Sequence, residues 1–206
     1  MNIGILGAGM IGATTARLFT QGGHHVTLSN ARGPASLTPL VANLGPNAHA
    51  ATIEEAASFG AVVLIAAPFK AYDSLPTHTL AGKIVIDAMN YYPNRDGEIA
   101  FAGRATSEFL AQSLPGARIV KAFNTMYYET LASAGRLDLP VQERLALFLA
   151  GDDAAAKEVV AGLITGVGFA AVETGTLHES SRQEPGAPIY NVPMTQADAE
   201  AVLADV

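Results

Sequence analysis

The chain opens "MNIGILGAGMIG", a short apolar run followed at once by Gly7, Gly9 and Gly12 in the spacing G-x-G-x-x-G. No other feature of the sequence constrains the fold as strongly. A strand that ends in such a loop and passes straight into a helical pattern, here "MIGATTARLFTQGG", is the start of a dinucleotide-binding βαβ unit. The three glycines do different things. Gly7 permits the tight turn, Gly9 lets backbone approach a pyrophosphate, and Gly12 lets helix pack close to strand. The helix N-terminus then faces the phosphates. Gly7, Ala8, Gly9, Met10, Ile11 and Gly12 are the expected phosphate cradle.

The rest of the chain continues the same alternation. Strands are expected at 2–6, 25–29, 61–67, 83–88, 117–123, 145–150 and 169–174, mostly as unbroken apolar runs, the pattern of strands covered on both faces. Between them lie helix signals: Thr52 and Glu55 form a capping box, and "DDAAAKEVVAGLITGVG" has acids at its start and Gly168 beyond its end. With right-handed crossovers this order gives a doubly wound, mostly parallel α/β sheet of the Rossmann type. Half of the 206 residues are hydrophobic, enough for one full core. Residues 1–175 are assigned to a single nucleotide-binding domain. Residues 176–206, where "TLHESSRQEPGAPIYNVPM" loses periodicity before a short helical tail, are assigned to a C-terminal arm that completes the cleft.

The second strand ends in "TLSNARGP", where an NAD-binding site would carry an acid to accept hydrogen bonds from the adenosine ribose. Ser29, Asn30 and Arg32 stand there instead. A 2′-phosphate is attracted by donors and positive charge and repelled by a carboxylate, so the cofactor is expected to be NADP(H). The net charge of −7 is the wrong sign for gripping a nucleic-acid backbone. With no cysteine in the chain, thiolate nucleophiles and Cys-ligated metal are excluded. No apolar run approaches a membrane span, and the start of the chain lacks a signal-peptide pattern, so a cytoplasmic location without membrane or nucleic-acid partners is expected.

The other strand ends form the nicotinamide end of the crevice. Ala67 and Pro68 leave room for a flat ligand, and Met89 and Asn90 complete the expected cofactor contacts. Asn90 and Asn124 are the candidates to position a carboxamide or a second ligand; Tyr91, Met126 and Tyr127 wall the pocket, and Arg182 joins it from the arm. Lys121, inside an apolar run, pairs with Asp87 at a sheet end or serves as a general acid, the pairing being the preferred reading. No Tyr-x-x-x-Lys pair, H-E-x-x-H or G-x-S-x-G elbow is present, and no histidine has a catalytic setting. Direct hydride transfer between two stacked heterocycles needs little acid–base help and fits this inventory.

Taken together, "GILGAGMIG", "LSNARGP", "IDAMNYYPNRDG", "ARIVKAFNTM", "AGDDAAAKEVVAGLI" and "PGAPIYN" resemble bacterial members of the NADPH-dependent 8-hydroxy-5-deazaflavin reductase family over nearly the whole chain. The same pattern occurs in the oxidoreductase domains of the six-transmembrane metalloreductases. The resemblance implies hydride exchange between NADPH and a deazaflavin, with Ser29, Asn30 and Arg32 holding the 2′-phosphate. The chain departs from archaeal members, which carry a G-G-T-G-x-x-G first loop. Three readings follow: an NADPH reductase of a deazaflavin or flavin, an NADPH reductase of a small carbonyl or imine, and a non-catalytic NADP sensor. The partner in the first two is a small-molecule acceptor. A homodimer is possible, and the arm closes either its own cleft or that of a partner copy.

Overall fold

The computed structural model describes residues 1–204. In chain order the strands are β1 Asn2–Leu6, β2 His25–Ser29, β3 Ala48–Ala50, β4 Val62–Ile65, β5 Ile84–Asp87, β6 Arg118–Ala122, β7 Ala146–Ala150 and β8 Ala170–Gly175. The helices are α1 Met10–Gln21, α2 Thr38–Leu44, α3 Ile53–Phe59, α4 Thr77–Leu80, α5 Pro93–Asp96, α6 Thr106–Ser113, α7 Tyr128–Ser133, α8 Ala154–Gly166 and α9 Gln196–Ala204. One eight-stranded sheet runs β3-β2-β1-β4-β5-β6-β7-β8. From β1 the chain winds outward to β3, then returns to the other side of β1 as β4. That reversal opens a crevice beyond the carboxyl ends of β1 and β4.

Both faces of the sheet are covered. Phe19, Phe123 and Phe169 lie in the core on one side, and Phe69, Leu80 and Leu110 in the core on the other. The inner strands β4 and β5 are buried at every position, which explains why they read as apolar runs without alternation. The local signals hold as well. Thr52 Oγ1 accepts from the Glu55 N–H at 3.2 Å while Glu55 Oε2 accepts from the Thr52 N–H at 2.9 Å, the reciprocal cap that starts α3. Asp153 caps α8 by accepting from the Ala156 N–H. Arg118, bonded to the same carboxylate, and that N–H hold Asp153 well below the usual carboxylate range.

Two features depart from the sequence reading. β3 was not expected: "AHA" is a three-residue edge strand paired only to β2, too short and too poor in β-branched residues to be seen in a pattern. β7 runs antiparallel to β6, pairing Ala150 with Lys121 and Leu149 with Ala122. Direction is not encoded in hydrophobicity here, since all five β7 residues are buried. Among the described residues no helix is long and apolar enough to cross a membrane.

Asp87 and Lys121 sit opposite each other in register at the ends of β5 and β6, both side chains wholly buried with Nζ 3.2 Å from Oδ2. The preferred reading of Lys121 is correct. The pair has further partners: Asp87 accepts from the Ser107 hydroxyl at 2.6 Å and the Met89 N–H at 2.9 Å, and Lys121 donates to the Met89 carbonyl. Removing one partner strands a buried charge, which costs about 3–5 kcal/mol. Lys121→Ala is therefore expected to lower unfolding free energy by that amount in urea denaturation; a loss under about 1 kcal/mol, ordinary for a surface ion pair, would contradict this account.

Candidate functional site

The site is assembled from the loops at the carboxyl edge of the sheet. Gly7 has φ of +104°, and a Cβ there would lie 2.4 Å from the Ala66 carbonyl oxygen. At Gly12 a Cβ would lie 1.9 Å from the Gly7 carbonyl oxygen, so only glycine lets α1 sit this close to β1. Gly9 differs from both: a Cβ there meets nothing within 4 Å. The space a side chain would fill at Gly9 is open, in front of a helix whose first turn has neither an acid nor a side-chain cap. The first ladder bond of α1 is Ala13 N–H to Gly9 carbonyl, at 2.8 Å. The N–H groups of Met10, Ile11 and Gly12 thus point outward without a helical acceptor. This cradle fits a pyrophosphate.

Past β2, Asn30 folds the loop onto itself. Its Oδ1 accepts from the Arg32 N–H at 2.9 Å and its Nδ2 donates to Ser36 Oγ at 2.9 Å. The Arg32 side chain has no hydrogen-bond or ionic partner among the described residues and lines a cavity of about 370 Å³ with Gly7, Gly9, Asn30, Ala67 and Pro68. A free guanidinium at this position suits a 2′-phosphate. Ser29 does not join it. The Ser29 side chain is fully buried and its hydroxyl donates to the Ile5 carbonyl at 3.2 Å, so the expected phosphate contact from that hydroxyl is corrected. Its strand is covered on both faces, and an inward serine must find a backbone acceptor.

At the other end of the crevice a cavity of about 520 Å³ is lined by Ala67, Pro68, Met89, Met126 and Tyr127, and also by Met10 from the glycine loop. Asn90 and Asn124 also line it, but their amides are engaged with each other. Asn124 Nδ2 donates to Asn90 Oδ1 at 3.0 Å and to the Gln183 carbonyl at 2.7 Å, while Asn90 Nδ2 donates to the Asn124 carbonyl at 3.0 Å. The two residues fasten the β5 and β6 loops to the arm. The chain reaches Asn124 through Phe123, a bulky residue at φ of +63°, a backbone state that persists only where its surroundings enforce it.

Other assignments shift. Tyr91 turns away from the cavity to pack edge-on against Phe101 and Phe69, its hydroxyl donating to the Gly97 carbonyl. The neighbouring Tyr92 faces the cavity in its place. Arg182 does not line this pocket: its guanidinium donates to the Thr174 carbonyl at 3.2 Å and lies 3.6 Å from Glu179. Tyr92, Arg95, Tyr128, Tyr190 and Asn191, none of them expected as site residues, do line it. Tyr92 and Tyr190 share a hydrogen bond between their phenol oxygens, brought together across 98 residues of chain by the fold, a pairing that no spacing rule shows.

The arm lies over its own chain's cleft. Glu184 Oε1 accepts from the Thr106 N–H at the start of α6 at 2.7 Å. The Asn191 N–H donates to the Thr125 carbonyl at 2.8 Å. Ile189 and Ala199 join Phe148 and Val172 in a small core on β7 and β8.

Comparisons with known proteins agree with this geometry. A family model described as "NADP oxidoreductase coenzyme F420-dependent" matches residues 2–91. A hypothetical protein from Sinorhizobium meliloti of solved structure is 32% identical with a TM-score of 0.83, each chain covered over 95%. A candidate F420-dependent NADP reductase from Arthrobacter sp. FB24 has the same fold, with a TM-score of 0.75 and 24% identity over 100% of this chain and 91% of that one. The metalloreductase STEAP3 of Rattus norvegicus is 28% identical over 193 residues, 93% of this chain. The chain spans 37% of that protein's length.

The two inner glycines of the cradle give opposite expectations. Gly9→Ala, with open space ahead and an extended backbone, keeps folding stability within about 0.5 kcal/mol of wild type yet weakens NADPH binding on the order of tenfold or more. Gly12→Ala drives Cβ into backbone and costs stability itself, about 1–3 kcal/mol. Urea denaturation beside nucleotide titration checks both; equal behaviour of the two variants would contradict the assignment.

Proposed function

Because the chain belongs to the family of coenzyme F420-dependent NADP oxidoreductases, we propose that it carries hydride between NADPH and a flat heterocyclic acceptor, a deazaflavin or a flavin. One observation supports this above the others. The cavity beside Arg32 and the cavity beside Tyr190 share Gly9, Ala66, Ala67 and Pro68, so the two are halves of one crevice. Bound there, the nicotinamide supplies the hydride. Gly9 and the first turn of α1 hold the pyrophosphate, and Arg32 with the Asn30 turn holds the 2′-phosphate. Met10, Pro68 and Met126 offer apolar faces against which a ring can lie flat, and alignment of two flat rings supplies most of what hydride transfer requires.

The phenols of Tyr92 and Tyr190 favour a second reading, reduction of a small carbonyl or imine, since such an acceptor must gain a proton as the hydride arrives.

Two measurements test the proposal. Arg32→Ala is expected to weaken NADPH binding roughly 10- to 150-fold, the range of one charge-assisted hydrogen bond, and NADH binding little; equal losses would remove Arg32 from the 2′-phosphate site. Following NADPH absorbance with a deazaflavin, free flavins, ferric chelates and a panel of carbonyls and imines, turnover is expected for the ring systems. Turnover of a carbonyl alone would transfer the assignment to the second reading, and tight NADPH binding with no turnover at all would favour a sensor.

A further inference from the structure

We propose that Tyr190 is the proton donor of the acceptor pocket and that Tyr92 resupplies it from solvent. This rests on the hydride-transfer reading above and adds the group that delivers the second half of the reaction. Tyr190 sits on the arm and lines the acceptor cavity. Its oxygen accepts from Asn90 Nδ2 at 3.3 Å and is hydrogen-bonded to the Tyr92 phenol. The bond between the phenols can be donated from either oxygen; in the arrangement the relay uses, Tyr92 donates, Tyr190 accepts from it and from Asn90 Nδ2, and the Tyr190 O–H is free for the pocket. Tyr92 is 38% exposed and therefore in contact with water. Both phenols line the cavity, and Tyr92 also reaches solvent.

The charges around the pair suit that role. The Arg95 guanidinium lies over the Tyr92 ring, 4.9 Å from its centroid, and donates to the Asn90 carbonyl. Arg95 is held in turn by the buried Asp96 carboxylate at 2.8 Å, which also accepts from the Tyr92 N–H. Burial raises the Asp96 carboxyl, and the bonds from Arg95, Tyr92 and Lys70 outweigh that and keep it ionised below its ordinary value. Tyr127 and Tyr128 are the other phenols on this cavity; the bond to Glu129 pushes Tyr128 up to about 12. Asn124 and Asn191 also line the pocket with polar side chains. Burial, followed by the Tyr92 contact, raises Tyr190 above the ordinary phenol range, which keeps it in the acid form at neutral pH.

The step balances. As the acceptor takes up hydride from the reduced nicotinamide, the Tyr190 O–H bond breaks and its proton passes to the acceptor heteroatom that gains the electron pair. Tyr190 recovers a proton from Tyr92, and Tyr92 from water. The sum is one hydride and one solvent proton added to the acceptor. The Asn90 amide, the Tyr92 hydroxyl and the Arg95 cation stabilise the transient phenolate.

Tyr190→Phe keeps the ring and deletes the donor. With a 5-deazaflavin, riboflavin or a small cyclic imine as acceptor, whichever the wild type reduces, the variant is expected to lose about 10²-fold in kcat, within the usual range for a positioned general acid, with NADPH affinity unchanged. Tyr92→Phe gives a smaller loss, and the solvent deuterium effect on kcat disappears in both. A readout without turnover accompanies these. In the ligand-free protein, the tyrosinate absorbance assigned to Tyr190 by difference against Tyr190→Phe shifts when Tyr92→Phe is introduced. Wild-type kcat in Tyr190→Phe, or a Tyr190 titration indifferent to Tyr92, overturns the relay and leaves the hydride-transfer reading standing. Should Tyr190→Phe loosen the arm, seen as a lower urea midpoint, Tyr92→Phe decides. A wild type that reduces only the imine, with the kcat loss present, keeps the relay and overturns the flat-ring acceptor. Silence toward every acceptor overturns both.

Discussion

A single ammonium group buried beneath the crevice sets the position of much of what lies above it. Lys121 Nζ reaches Asp87 and the Met89 carbonyl, and Asp87 in turn accepts from the Met89 N–H. The peptide groups on both sides of Met89 are thereby tied to a charge pair that cannot relax toward water, since both side chains are fully buried. Met89 is followed directly by Asn90, Tyr92 and Arg95. The orientation of the β5 loop, and with it one wall of the 520 Å³ cavity, follows from an ion pair whose two members are aligned by strand register. A buried pair is a weak source of net stability. Its contribution here is to fix one loop conformation, which suits a site that works by alignment.

The opposite wall is supplied by the arm. Gln183, Tyr190 and Asn191 are joined to the β5 and β6 loops by bonds from Asn124 to the Gln183 carbonyl, between the two phenols, and from Asn191 to the Thr125 carbonyl. Two asparagines that the sequence reading assigns to ligand contact line the cavity and also form the joint between these parts, with Asn124 Oδ1 left without a hydrogen-bond partner. One bond runs between the two side-chain amides and one from the Asn90 amide to the Asn124 backbone carbonyl, and the second Asn124 N–H holds the Gln183 carbonyl. The cavity is thus a product of long-range closure, with the ligand-facing groups drawn from both sides of the joint.

This division explains what was legible in the sequence. The glycine loop was, because it depends on backbone: Gly7 and Gly12 stand where a Cβ would strike a carbonyl oxygen, and Gly9 stands where the space ahead of α1 is open. The strand runs, the Thr52–Glu55 cap and the Asp153 start of α8 were legible for the same reason, being local. Arg32 was readable as an exposed cation at a strand end. Ser29 was misjudged by its neighbours, since an end-of-strand serine next to exposed residues is itself still inside the sheet. Choosing Tyr91 over Tyr92 was a slip of one position, and Tyr190 had no local signature at all. Its partner lies in another loop, and only the topology brings them together.

Charge distribution resolves an apparent conflict between an acidic protein and anionic ligands. The chain carries a net charge of −7, yet a dinucleotide phosphate must be drawn into the crevice. The acids nearest the site do not act as free negative charges: Asp87 is matched by Lys121 and Asp96 by Arg95. The first turn of α1 has no acid, and Arg32 has no ionic partner among the described residues. Glu54 is the acid that shares a hollow with Asn30, Ala31 and Gly33, and its carboxylate accepts from the Thr79 hydroxyl. At physiological salt the screening length is about 8 Å, so a phosphate held in the cradle responds to α1 and Arg32 and scarcely to distant carboxylates. Net charge speaks against broad phosphate-backbone surfaces, but it places no limit on one well-placed phosphate site.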